Sequence, residues 1–249
     1  MRRRREDLRD LILSTASSLL LTEGLSSGAE HITFKRVFDQ IEQGEGIRIT
    51  NASVIGRIWR DQSDFQRDVL VAAALDAPHL DVVATNAVVE DALRSFDLTT
   101  PERRAAALTE LLRIGSMTNF ALLTGSESWR MWVALWSLHI AGSSAKPDEE
   151  IGEILIASYH DINEAYITIF GSIFERLGFQ VRTPLTIKDF VIEMASVAEG
   201  LAIREALLGG PLRAIELPTG PDGDLQEWNL FGLAVDALAK TFLEPVVAA

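Results

Sequence analysis

Apolar residues recur along this chain at spacings of three and four, and almost nowhere in the alternation of a half-buried strand. Leu8, Leu11, Ile12, Thr15, Ala16 and Leu19 form one such stripe, which predicts a helix from about Arg5 to Glu23 with Gly24 as its stop. Thr33 then caps a short helix whose inner face is Phe34, Val37, Phe38 and Ile41. Beyond the glycine-bearing connection Gln43–Ile49, Asn51 caps another, Ala52 to Trp59, with Val54, Ile55, Ile58 and Trp59 turned inward. Asp61 or Ser63 opens a longer helix that buries Phe65, Val69 and Leu70.

The pattern continues with helices near Val83–Ser95, from Thr100-Pro101-Glu102, and over Glu127–Ala141, Asp148–Leu177, Thr186–Leu208 and Leu225–Leu243. A threonine cap, a proline in the first turn and an acid beside it make the start at Thr100 the clearest of these. Gly209–Asp224, with three prolines, reads as a loop, and Phe179–Thr183 and Ile215–Leu217 are too short to found a sheet. The predicted fold is all-α, a helical unit over residues 1–75 followed by a larger helical domain over 76–249.

A chain of 249 residues can bury a core without staples, and with no cysteine it has no disulfide, thiolate metal site or cysteine nucleophile. The most apolar stretch, Met131–Ala145, contains His139 and several serines and falls short of a membrane span. Acidic residues break up the arginines at the N-terminus and serines dilute the leucines after them, so a mature amphipathic helix and a cytoplasmic protein are expected. The net charge is −13, yet residues 1–70 carry eleven basic and eleven acidic residues, so all of the excess lies further on. A polyanion is therefore expected to approach the N-terminal end and to be repelled elsewhere.

The first seventy residues resemble the tetracycline-repressor (TetR) family of transcriptional regulators. Carrying the resemblance are a helix ending in Glu23-Gly24, a second opening at Ile32-Thr33, a polar turn, the stretch Asn51-Ala52-Ser53-Val54-Ile55-Gly56-Arg57-Ile58-Trp59, and the entry Asp61-Gln62-Ser63-Asp64-Phe65. An aromatic residue closes the recognition helix in that family, and Trp59 stands in that place. Gly56 and Gln62 depart from the family's usual tyrosine and lysine, and the turn is longer than usual.

The resemblance implies an N-terminal three-helix helix-turn-helix unit that reads a double-stranded DNA operator, with a C-terminal domain for ligand binding and dimerisation. Asn51, Ser53 and Arg57 face outward if the apolar positions face in, and such side chains suit hydrogen bonding to base edges. Thr33 places backbone donors where a phosphate can sit, and Arg3, Arg4 and Arg5 form an arm for the minor groove or backbone. Arg36, Arg48, Ala52, Arg60 and Gln62 complete the expected DNA surface. A homodimer is implied, held by the helices near Asp148–Leu177 and Thr186–Leu208 with Leu225–Leu243 in support; Ile154, Leu155, Tyr159, Ile162, Ala165, Ile169 and Ile173 give the first an apolar face.

A buried helix in the middle of the chain lines a small-molecule cavity in the family. Here Trp129, Trp132, Val133 and Trp136, with Met117 and Phe120 before them, are the residues expected to hold an apolar or aromatic effector. The expected function is thus an operator-binding regulator released by a small molecule, without catalysis, cofactor or metal. The alternative is a ligand-binding protein of the same architecture that has lost tight DNA binding, which Gly56, Gln62 and the acidity favour. Gly24-Leu25-Ser26-Ser27-Gly28 matches a nucleophile elbow in letters only, since no strand leads into it. His160 and Glu164 are two potential metal ligands lacking a third.

Overall fold

Four helices begin where a threonine or asparagine side chain takes a backbone N–H that the helix leaves open. In the computed structural model, which describes residues 5–25, 29–75, 79–140, 149–219 and 223–246 (without the side chains of 79–81), Thr33 accepts from Arg36 N, Thr100 from Arg103 N, Thr186 from Asp189 N and Asn229 from Gly232 N. The chain is all-α, with ten helices among the described residues. They are α1 (Arg5–Glu23), α2 (Phe34–Glu45), α3 (Asn51–Val54), α4 (Gln62–Leu75), α5 (His79–Ser95), α6 (Pro101–Gly125), α7 (Glu127–Ile140), α8 (Glu149–Leu177), α9 (Ile187–Leu208) and α10 (Leu230–Phe242). No described helix is long and apolar enough to cross a membrane.

Two short antiparallel pairs correct the expectation that no strand would form. β1 (Phe179–Val181) pairs with β4 (Leu243–Pro245), and β2 (Ile215–Thr219) with β3 (Asp224–Trp228). Segments too short to found a sheet can still pair when tertiary packing delivers a partner. The last helix is accordingly shorter than the expected Leu225–Leu243. Asn229 stops the strand and caps α10, its Oδ1 accepting from Gly232 N at 2.6 Å.

The helix expected over Ala52–Trp59 is one turn long. Asn51 is its first residue rather than its cap; Thr50 holds the cap position, its carbonyl accepting from Ser53 N at 2.9 Å and Ser53 Oγ at 2.6 Å. Gly56 adopts φ +73° and its N–H donates to Trp59 O at 2.7 Å, so the chain closes a tight loop instead of adding a second turn. Glycine tolerates that conformation because it has no Cβ to collide with the following carbonyl.

The chain divides into two compact units, one of residues 1–77 with 127–158, the other of 78–126 with 159–249. α7 and the start of α8 thus group with the N-terminal helices. In the first unit α1 packs on α2 and α4, and α7 on α1 and α4. Its core includes an aromatic cluster: Phe65 stacks on Phe34 with centroids 4.5 Å apart and meets Trp59 edge-on at 5.0 Å. Trp59 Nε1 donates to Asp68 at 2.8 Å, which gives the buried indole its partner.

In the second unit α6 packs against α5, α9 and α10, and α10 against α9. Phe170, Phe174, Phe190 and Phe242 form a second aromatic cluster there.

Candidate functional site

Three helices of the second unit each turn one stripe toward a common space. Val82, Thr85, Asn86 and Val89 come from α5, at positions i, i+3, i+4 and i+7. From α6 come Leu111, Leu112, Gly115, Ser116 and Asn119, and from α8 Tyr166, Ile169, Phe170 and Ile173. Met194 of α9 and Phe231 of α10 close it. The space left for the centres of water-sized molecules is about 40 Å³. That measure admits roughly three waters.

The walls are apolar with a few uncharged polar groups, and no charged side chain is among the lining residues. Asn119 Nδ2 donates to the Tyr166 hydroxyl at 2.6 Å, tying α6 to α8. The Thr85 hydroxyl oxygen is buried without a hydrogen-bond partner. Small residues leave the room: a Cβ on Gly115 would stand 3.0 Å from Val89 Cγ2.

None of the six residues expected to hold a ligand lines this space. Met117 and Phe120 belong to the same unit; Phe120 packs against Phe231 with centroids 5.9 Å apart, and Met117 Sδ accepts from Arg113 at 3.4 Å. Trp129, Trp132, Val133 and Trp136 belong to the first unit, where Trp129 and Trp132 are buried and Trp132 meets Trp136 edge-on at 5.6 Å. Ile169 and Ile173, two residues of the apolar face of α8, line the cavity. Sequence carries the stripes of α5 and α6, but as ordinary core spacing; the gap between them depends on how closely the helices meet.

Glu199 of α9 is half-buried, and burial pushes its carboxyl up to about 7. Tyr159 is raised above its ordinary value, first by burial and then by the charge of Glu199.

In the N-terminal unit the polar edge is divided between exposed and committed groups. Asn51, Ala52 and Arg57 are exposed, Ser53 is half-buried, and Val54 and Trp59 lie beneath as expected; Ile58 is half-buried, while Ile55, expected inward, is 40% exposed because the chain leaves the helix there. Arg5, first residue of α1, and Arg48 are also exposed. Arg3 and Arg4 lie outside the described residues.

Several expected phosphate groups already have internal partners. Arg36 is clamped by both carboxylate oxygens of Glu23. The Arg60 amide and guanidinium hold the Asp64 carboxyl below its ordinary range, at 3.0 and 3.1 Å. Gln62, half-buried, bridges backward: its Oε1 accepts from Phe34 N and its Nε2 donates to Ile32 O, both at 3.0 Å. Since Thr33 takes Arg36 N, two of the donors at the start of α2 are satisfied from within.

His160 and Glu164 are exposed on α8, and no group of three potential ligands could hold a metal ion among the described residues.

The fold and this site define a helical protein with a partly open cavity that no charged side chain lines. No protein-family model matches the chain, and no curated protein matches it. Among solved structures, a protein of unknown function from Rhodococcus sp. RHA1 is similar, with 17% sequence identity over 94% of this chain and 92% of that one, at a TM-score of 0.43.

Proposed function

We propose that the protein is a TetR-like regulator whose N-terminal unit reads duplex DNA as half of a homodimer and whose second unit binds a small molecule that releases it. The observation that carries the reading is the exposed edge of Asn51, Ala52 and Arg57 set over the buried Val54 and Trp59. Helix-turn-helix recognition uses just such an edge, with paired units about 34 Å apart on one face of the duplex. The partly open cavity supplies a place for the effector. On α9, Ile192 (39% exposed), Ile203 (40%) and Leu207 (81%) fall on one stripe, an apolar surface of the kind a second copy covers. Ligand would shift the balance of two dimer states only through unequal affinity for them.

The internal pairing of Arg36, Arg60 and Gln62 favours a second reading, a ligand-binding protein of this architecture without tight DNA binding. Gel retardation with DNA from the chain's own upstream region separates the two. Under the first reading the protein retards it, less as salt rises, and Arg57→Ala weakens the complex by about 1–3 kcal/mol. Equal retardation by wild type and Arg57→Ala defeats the assignment of that edge. No retardation of the upstream DNA leaves the second reading.

A further inference from the structure

The walls of the cavity run lengthwise along three helices. Lining positions extend from Val82 to Val89 on α5, from Leu111 to Asn119 on α6 and from Tyr166 to Ile173 on α8. At a rise of 1.5 Å per residue each stripe is about 10–12 Å long. The space is partly open to solvent, so an elongated body can lie along it with one end toward water. Most of the lining is aliphatic or aromatic, which suits a lipophilic body.

Two further observations bear on what that body carries. Ser116 lines the cavity and is only 6% exposed, and its hydroxyl forms no hydrogen bond among the described residues. Unlike the hydroxyl of Thr85, it is not sealed away from solvent. The second observation concerns cations. Every arginine on the three wall helices is engaged within the protein: Arg94 by Asp91, Arg103 by Asp97, Arg113 by Glu110 and Arg176 by Glu90, while Arg104 donates to Leu98 O. A carboxylate lodged here would give up hydration and find no opposite charge. The net charge of −13, all of it beyond residue 70, repels an anion before it arrives.

We infer that the cavity takes an elongated, lipophilic ligand bearing a neutral hydrogen-bonding group, an alcohol, ketone or amide, that pairs with Ser116, and that it rejects the carboxylate of the same skeleton. The inference rests on reading this cavity as the effector site of the proposed regulator, and it names the effector's chemical class. A serine hydroxyl both donates and accepts, so alcohol and carbonyl oxygens serve alike. Asn86, half-buried on α5, adds a second neutral donor and acceptor to the lining.

Titration calorimetry on the full chain without DNA tests this with three probes of one skeleton: 4-phenyl-1-butanol, 4-phenylbutanoate and butylbenzene. Wild type is expected to bind the alcohol, and to bind the carboxylate at least tenfold more weakly at neutral pH. Ser116→Ala should weaken the alcohol about three- to tenfold, as the loss of one hydrogen bond requires, and leave butylbenzene unchanged. Ser116→Thr keeps a hydroxyl and should retain the alcohol, which gives a second reading if the alanine chain fails to fold. Carboxylate bound as tightly as alcohol, alcohol not bound at all, or Ser116→Ala shifting alcohol and hydrocarbon alike overturns the proposal. Because DNA is absent, these outcomes are independent of retardation. Alcohol binding with no retardation supports the cavity and defeats the regulator; retardation with no alcohol binding does the reverse.

Discussion

Glu199 offers the sharpest physical test of the structure. Its carboxyl is pushed from an ordinary 4.5 to about 7, and burial is the cause. The folded chain therefore holds a proton that the unfolded chain releases between those two values. Stability falls as pH rises through that window, and the full penalty is present above about pH 7. The shift sets a ceiling of about 3 kcal/mol, which partial contact with solvent reduces to about 2. Glutamine at this position keeps the shape and has no charge to desolvate. In urea unfolding followed by circular dichroism, Glu199→Gln should match wild type near pH 4 and exceed it by about 2 kcal/mol near pH 8. A difference that is constant across pH, or that grows toward acid, would refute the burial argument.

Other expectations follow from single contacts. Phe65 is fully buried between Phe34 and Trp59, so Phe65→Ala should cost about 3–5 kcal/mol and lower Tm by roughly 10 °C in a thermal melt. Gly56 has φ +73° and open space where a Cβ would sit; Gly56→Ala should cost about 1–2 kcal/mol through backbone strain alone, read as a lower urea midpoint at unchanged slope. Trp228 Nε1 donates to the Thr219 hydroxyl at 2.8 Å, and both residues are buried. Thr219→Val removes the acceptor, and a loss of about 1–3 kcal/mol in the same urea assay is expected.

What the sequence revealed was local. Thr100-Pro101-Glu102 announced α6, and Phe34, Val37, Phe38 and Ile41 are buried as their spacing implied. Capping and amphipathic spacing act within a few residues, so they are written plainly in the chain. The short α3 was less legible: Gly56 permits a positive φ, but nothing local compels it. β1 and β4 pair residues more than sixty positions apart, Phe179 with Pro245, and no window of sequence contains both.

The site was harder still. Trp129 and Trp132 are buried in the first unit, whereas Val82, Thr85 and Val89, whose spacing reads as ordinary core, line the cavity of the second. Helical periodicity tells which side of a helix is apolar, not whether the opposing helix fills the space. Charge count misleads in a similar way. Arg36 and Glu23 are thirteen residues apart and on different helices, so only the fold reveals that they neutralise one another.

That internal bookkeeping of ions bears on how the protein would respond to electrolyte. Arg5, Arg48 and Arg57 form no ion pair among the described residues, while Arg9, Arg36, Arg60 and Arg67 are each held by a carboxylate. A phosphate reaching Arg36 must displace Glu23, an exchange of one anion for another that liberates little condensed sodium or potassium from the duplex. With these three uncommitted guanidinium groups among the described residues of each copy's N-terminal unit, a dimer would show a log–log slope of affinity against salt of about −5. Such a complex would persist through ionic conditions that strip more heavily cationic proteins from nucleic acid.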